Sequence, residues 1–113
     1  MPAFRALGNI LGKAQTFHQI GIVHQLLGDY ELAEMDFQDA IRHFRQAGAE
    51  LGIAEVRVSL GHLAIQMQEL DKAIVVLNEA LSVLERKDGA QLTRAKRLLG
   101  LAREALYQQG VLA

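Results

Sequence analysis

A stretch near the start of the chain recurs 40 residues later. Residues 4–12 and 44–52 both begin with Phe-Arg, both end with Leu-Gly and both carry a glycine between the two pairs. The same shift pairs Gly21 with Gly61. Self-similarity at a period of roughly 20 to 50 residues is typical of stacked supersecondary units, each of which buries its apolar face against its neighbours. The sequence therefore predicts a repeat protein.

Composition excludes several classes of protein. Of the 113 residues, 50% are hydrophobic and 22% are charged, and the net charge is −1, which favours a packed domain over a disordered chain or a general binder of polyanions. The absence of cysteine excludes a disulfide framework, a thiolate zinc site and a cysteine nucleophile. No signal peptide and no apolar run of about 20 residues is recognisable, so we expect a cytoplasmic protein with no membrane association.

Apolar residues recur at intervals of three and four, which is the spacing of a helix with one buried face, whereas strand alternation is absent. This spacing predicts an all-α fold of about five helices. The first two are predicted at 13–27 and 30–46, with Gly28 as a left-handed cap and Asp29 capping the next helix. A fifth helix, predicted at 92–108, has no partner after it. We expect one domain over 1–113, consisting of a partial helix and turn (1–12), repeat 1 (13–47), repeat 2 (52–87) and a capping helix (90–109).

Three glycines occupy mid-helix positions, where glycine costs about 1 kcal/mol relative to alanine. Gly21, Gly61 and Gly100 each follow a leucine or an isoleucine. We expect each of them to permit a close approach between helices, with Ala33 or Ala73 of the paired helix facing the first two.

Other positions are predicted to form the turns. Gly48, Gly52 and Gly89 should reverse the chain between units, because no proline is available to stop the helices. Gln68 stands where the second repeat would place the glycine equivalent to Gly28, so that turn should be less stable.

The repeated positions resemble the tetratricopeptide repeat family, whose pattern is an aromatic residue, Leu-Gly and a second aromatic in the first helix, then Ala, Phe and Ala in the second. The spacing of 40 residues exceeds the family's usual unit of about 34, and is similar to the longer-period subclass found in kinesin light chains and in bacterial regulatory proteins. The second repeat lacks both aromatics of its first helix, and the third retains Leu99-Gly100. The matching residues are Phe17, Ile20, Gly21, His24, Gly28, Ala33, Phe37 and Ala40, then Leu60, Gly61, Ala64, Ala73, Leu77 and Ala80.

The resemblance implies antiparallel helical hairpins stacked as a right-handed α-solenoid. It also implies a protein-interaction scaffold that binds a peptide or partner protein in a concave groove, with no cofactor, no metal and no catalytic activity. The residues that chaperone cofactors of this family use to hold a C-terminal carboxylate are replaced at His18, Ile22 and Ser59, which argues against that mode. Carried over from the family, the groove residues are Gln15, His18, Gln19, Ile22, Gln25, Glu55, Val58, Ser59, His62, Gln66, Arg94, Arg97, Leu98, Leu101 and Glu104.

The sequence offers two other interpretations. The basic C-terminal quarter, which includes Arg94, Lys96, Arg97 and Arg103, could track phosphates in a nucleic-acid-associated regulatory module, but aromatic residues are not interleaved with these charges except for Tyr107. The histidines offer no recognisable catalytic motif, since no carboxylate or nucleophile accompanies them in the sequence. A metal held by His18 and His62 would lack a third ligand.

The N-terminal segment resembles the end of a second helix, so the chain is expected to begin partway through a repeat. That leaves the apolar residues Phe4, Leu7, Leu11 and Phe17 partly uncovered. An uncovered apolar patch usually marks an interaction surface. We therefore expect this end to be covered by a second copy in a homodimer, or by the rest of a larger protein.

Overall fold

The computed structural model describes residues 2–86 and 89–112, with side chains described within 5–86 and 89–110. These residues form five helices and no strand, which confirms the predicted all-α fold. The helices are α1 (Pro2–Leu26), α2 (Tyr30–Gln46), α3 (Glu50–Gln66), α4 (Leu70–Leu84) and α5 (Ala90–Leu112).

One turn geometry ends the first three helices. After α1, the N–H of Gly28 donates to the carbonyl of Gln25 (3.1 Å), and the N–H of Asp29 donates to the carbonyl of His24 (2.8 Å). This pair of bonds is the Schellman motif, which requires a left-handed residue, here Gly28 with φ +83°. The same two bonds recur around Gly48 and Gln68, which have φ +69° and +62°.

The period of these turns is half that of the sequence repeat. Left-handed residues lie at 28, 48 and 68, and helices α2 to α5 begin at 30, 50, 70 and 90. The starts of successive helices from α2 to α5 are therefore 20 residues apart, and two such intervals make the 40-residue repeat, whereas α1 is longer, with 25 residues. The predictions for Gly28 and Gly48 are confirmed. The prediction that the Asp29 side chain caps α2 is wrong, because that side chain makes no cap hydrogen bond.

The N-terminus differs from the prediction. Residues 2–12 form no partial helix and turn, because α1 runs without a break from Pro2 to Leu26. Proline suits the first position of a helix, where its missing N–H has no intrahelical partner. Gly8 and Gly12 follow within the helix, and neither has a positive φ that would turn the chain. At the other end, α5 starts at Ala90 as expected and continues beyond the predicted limit of residue 109.

The chain divides into two compact units, Met1–Val56 and Arg57–Ala113, with the boundary inside α3. The expectation of a single domain over 1–113 remains a prediction. In the first unit, α1 and α2 form an antiparallel hairpin, since contacts between them join Phe17 to His43 (ring centroids 5.2 Å apart) and His24 to Asp36. The buried apolar residues of α2 are Ala33, Phe37, Ala40, Ile41 and Phe44.

The second unit contains the end of α3 followed by α4 and α5. Arg57 of α3 forms an ion pair with Glu79 of α4 at 3.3 Å, and Gly61 lies against Leu77, so these two helices are also antiparallel. Helix α5 packs on α4. Its buried residues are Ala95, Leu98, Leu99 and Ala102.

Two of the three mid-helix glycines lie where helices approach closely, as predicted. A Cβ on Gly21 would come within 2.6 Å of the Phe37 ring, and a Cβ on Gly61 would come within 2.5 Å of Leu77. The facing residues are thus the large side chains Phe37 and Leu77, and the expectation that Ala33 and Ala73 face these glycines is wrong. The fully buried side chains of Phe37 and Leu77 fill the space that the missing Cβ atoms of the two glycines leave.

The prediction fails for two other glycines. Gly100 is exposed and has no atom within 4 Å of its Cβ position, so it permits no close approach. Gly52 lies inside α3 and does not form a turn; a Cβ there would come within 2.5 Å of the Phe44 ring. Close approach of glycine to a large side chain therefore occurs at Gly21, Gly52 and Gly61.

Gly61 and Gly100 allow a matched test of this packing. We expect Gly61→Leu to lower the free energy of unfolding by about 1–3 kcal/mol or more, because the added side chain overlaps the buried Leu77. Gly100→Leu should leave it unchanged or raise it by up to about 1 kcal/mol, since leucine is the better helix former at an exposed site. Urea denaturation measures both, and a Gly61→Leu protein as stable as the wild type would contradict the packing.

The turn at Gln68 allows a second test. A side chain in the left-handed region costs about 1–2 kcal/mol, part of which glycine recovers despite its greater entropy in the unfolded chain. We therefore expect Gln68→Gly to raise the free energy of unfolding by about 1 kcal/mol and Gly28→Gln to lower it by about 1 kcal/mol. Thermal and urea unfolding of the two variants measure the changes. Destabilisation by Gln68→Gly would show that the glutamine side chain is needed at this turn.

Candidate functional site

The predicted groove residues of the first unit differ in accessibility. Gln15 and Gln19 of α1 are exposed, Ile22 and Glu55 are half-buried, and Gln25 is buried. His18 is also half-buried, with its ring edge against Phe37 at a centroid distance of 5.7 Å. Of the five residues predicted on α1, Gln15 and Gln19 therefore offer the most surface to a partner.

Two predicted groove residues of α3 do not reach the surface. Val58 is 0% exposed and Ser59 is 1% exposed. The family pattern assigns them to a polar face, but α3 is buried around most of its circumference from Val56 to Ala64, where His62 and Arg57 are half-buried. The prediction that Val58 and Ser59 line a groove is therefore wrong, because neither offers accessible surface to a partner. Gln66, one turn after His62, is exposed.

The structure brings three of the predicted residues together in the second unit. Arg94 of α5 reaches His62 of α3, with 3.4 Å between Arg94 Nη2 and His62 Nδ1. Arg97 lies one turn further along α5 and is close enough to act on the charge of both. We call His62, Arg94 and Arg97 the basic cluster.

The surroundings of the basic cluster disfavour the protonated forms of His62 and Arg94. Burial, followed by the positive charges of Arg94 and Arg97, lowers the pKa of His62 below its ordinary value of about 6.5. Burial and the neighbouring Arg97 also lower the pKa of Arg94, which remains charged at neutral pH. Neutral His62 can accept the long hydrogen bond from Arg94 through Nδ1, and protonation of that atom would remove the acceptor.

The basic cluster has no acidic counterpart. Among the residues that the structure describes, no carboxylate forms an ion pair with Arg94 or Arg97. Leu101, one turn beyond Arg97, is 51% exposed, whereas Leu98 is buried and Glu104 is exposed. The two guanidinium groups of the basic cluster thus lie beside an accessible leucine, and together they form a surface suited to an acidic segment that also carries an apolar side chain.

Sequence reasoning missed the pairing of His24 with a carboxylate. His24 Nδ1 and Asp36 Oδ2 are 2.5 Å apart, and both side chains are largely buried between α1 and α2. No sequence motif indicates this pair, because the two residues are 12 positions apart and are brought together by the hairpin. His24 lies four residues before Gly28 and Asp36 lies eight residues after it, and antiparallel pairing of the two predicted helices is the signal that could have indicated the contact.

No metal site or membrane span is found in the part of the chain that the structure describes. Within 2–86 and 89–112, no group of three or more His, Asp or Glu side chains is arranged to hold a metal ion. Within the same residues, no helix combines the length and the apolar character needed to cross a membrane.

The apolar N-terminal residues are only partly accessible. Leu7 is 39% exposed, Leu11 and Phe17 are half-buried, and the Phe4 side chain lies outside the described residues. Val23 near the end of α1 and Leu27 just after it are more exposed than these residues, at 53% and 69%.

Comparison with known proteins supports the sequence pattern. A family described as the tetratricopeptide repeat matches residues 12–86. A crystal structure of BtubC (BKLC) from P. vanneervenii is similar in fold, with a TM-score of 0.75 and 23% sequence identity over 82% of this chain. The match spans 39% of that protein's chain. Comparison with curated proteins gives no match.

The lowered pKa of His62 predicts a pH-dependent contribution to stability. Because the unfolded chain binds a proton at His62 at a higher pH than the folded chain does, the free energy of unfolding falls as pH drops from about 6.5 through the folded pKa. His62→Gln removes this titration. We expect its melting temperature to fall less than that of the wild type between about pH 7.5 and about pH 5. Equal shifts in the two proteins would show that His62 does not titrate in this way.

Proposed function

Because the chain belongs to the tetratricopeptide repeat family, we propose that it is a protein-interaction module whose basic cluster binds an acidic segment of a partner protein. Tetratricopeptide repeats generally mediate contacts between proteins, so family membership supports the class of function. The observation that supports the acidic partner is the pair of guanidinium groups at Arg94 and Arg97, which have no carboxylate partner among the described residues.

A partner carboxylate would relieve an unfavourable interaction that exists in the free protein. Arg94 is half-buried and lies beside Arg97, and the repulsion between them contributes to the lowered pKa of Arg94. Charge-assisted hydrogen bonds from guanidinium to carboxylate are stronger than neutral ones, most of all where solvent is partly excluded. An apolar side chain next to the carboxylate would cover Leu101, which a purely polyanionic ligand would not do.

The other accessible residues of the predicted groove form a separate part of this proposal. Gln15 and Gln19 lie one turn apart on α1 and can exchange hydrogen bonds with the backbone of an extended segment. The longer-period subclass, the cytoplasmic location and the absence of catalytic activity are likewise proposed for this chain. Nothing in the comparisons supports the nucleic-acid alternative, and the apolar Leu101 beside the basic cluster favours a protein ligand over phosphates.

Arg97 and Lys96 allow a matched test, since both are exposed residues of α5 and only Arg97 belongs to the basic cluster. The probes are peptides selected from a displayed random library, of which we expect the binders to be rich in Asp and Glu with an adjacent apolar residue. Arg97→Glu should weaken the binding of a selected peptide by at least about tenfold, because a carboxylate then faces a carboxylate. Lys96→Glu should change it by less than about threefold.

Fluorescence anisotropy measures these affinities, and circular dichroism controls for helix content. If the two variants weaken peptide binding equally, the effect depends only on the net charge of α5, and the proposed role of the basic cluster is contradicted. Selection of peptides without acidic residues would contradict the proposed ligand. Tight binding of single-stranded RNA that depends on Arg97, with no selected peptide, would favour the nucleic-acid alternative instead.

A further inference from the structure

Helix α1 and the residue that follows it expose an apolar stripe in the first unit. Ile20, Val23 and Leu27 are spaced by three and four, so they share one side of the helical turn, and they are 40%, 53% and 69% exposed. Lys13, two turns before Ile20, lies on the same side and is also exposed. We call these four residues the α1 stripe.

The repeat indicates that this stripe is a packing surface. A shift of 40 residues places Leu60 at the position of Ile20 and Leu63 at that of Val23. Leu60 is 3% exposed and Leu63 is 1% exposed. The same side of the same type of helix is therefore buried in the second repeat and open in the first, so the α1 stripe has the character of a surface that normally contacts another helix.

Helix α2 exposes a surface of the complementary kind. Leu32 and Met35 are 47% and 63% exposed, and Asp39 follows one turn later on the same side. A shallow cleft of about 460 Å³ lies beside them, large enough to admit aliphatic side chains. Its lining residues are Glu31, Glu34, Met35, Gln38 and Asp39. We call Leu32 and these five residues the α2 surface.

Charge favours pairing of the α1 stripe with the α2 surface. Helix α1 contains Arg5 and Lys13 and no acidic residue. The α2 surface contains Glu31, Glu34 and Asp39 and no Lys or Arg, although Asp39 forms an ion pair with Arg42 of the same helix at 2.9 Å. Two α1 helices placed against each other would bring like charges together, whereas α1 against α2 brings opposite charges together around apolar side chains.

We propose that a second copy of this chain covers the α1 stripe, with α1 of each copy packing against the α2 surface of the other. A two-fold axis makes this contact twice, so the stripe and the surface of both copies are covered at once. The dimer uses residues of the first unit alone, whereas the basic cluster belongs to the second unit. Failure of the dimer is therefore distinguishable from failure of the proposed acidic ligand.

Val23 and Val75 provide the first arm of the test. Both are exposed valines, at 53% and 56%, but Val75 lies on α4 in the second unit. Sedimentation velocity over a concentration series should show a wild-type dimer that dissociates on dilution. Val23→Asp should raise the dissociation constant at least about tenfold, and Val75→Asp should change it less than about twofold. A strictly monomeric wild type at the highest concentration would overturn the proposal.

Charge exchange provides the second arm and identifies the pairing. Thr16 is exposed and lies one turn after Lys13 on the same side of α1. One variant, Lys13→Glu with Thr16→Glu, makes α1 acidic; the other, Glu31→Lys with Glu34→Lys and Gln38→Lys, makes the α2 surface basic. Each alone places like charges across both contacts, so each should be monomeric. An equimolar mixture restores opposite charges across both contacts and should form a heterodimer.

The outcomes separate the proposed pairing from its alternatives. If the variant with a basic α2 surface still dimerises alone, α2 is not in the contact, and an α1 to α1 dimer replaces the proposal. If the mixture stays monomeric while both variants keep the wild-type circular dichroism spectrum, opposite charge does not specify the contact and the proposal fails. High salt should weaken the heterodimer.

Discussion

The left-handed residue that ends each of the first three helices fixes the register on which the other contacts depend. Because Gly28, Gly48 and Gln68 are spaced by 20 residues, α2 and α3 have the same length, 17 residues, before the chain reverses. The turns at Gly28 and Gln68 bring Gly21 opposite Phe37 and Gly61 opposite Leu77. Phe37 and Leu77 fill the space beside these glycines only if the turns lie at Gly28 and Gln68. The turn geometry and the core packing therefore specify the same arrangement.

Local features of the sequence accounted for much of the fold. The bounds of α2 follow from apolar spacing and from the adjacent Gly28, and the close approaches at Gly21 and Gly61 follow from the cost of glycine inside a helix. The start of α1 did not follow, because a glycine can either turn a chain or remain helical, and Gly8 and Gly12 remain helical. Gly100 shows the same ambiguity, since its sequence context matches that of Gly61 and its surroundings do not.

The candidate site was less predictable than the fold. His62, Arg94 and Arg97 were named from family positions, but the hydrogen bond between Arg94 and His62 depends on how two helices that are distant in sequence pack in the second unit. Val58 and Ser59 were assigned to the surface because the family pattern treats α3 as having an open face, and burial on several sides of α3 removes it. The environment of a side chain depends on the residues that pack around it from other helices, and the periodicity along one helix does not predict those residues.

The constant interval of 20 residues between turns has a consequence for how this chain can vary in length. Insertion or deletion of one residue inside a helix rotates everything beyond it by about 100° about the helix axis. Gly21 would then no longer face Phe37, and the apolar side chains that follow would point toward solvent. Changes in length are therefore expected outside the helical segments, or as a whole 40-residue repeat of two helices, because one added helix would reverse the direction of every helix after it. A lineage of such proteins would then grow or shrink by two helices at a time.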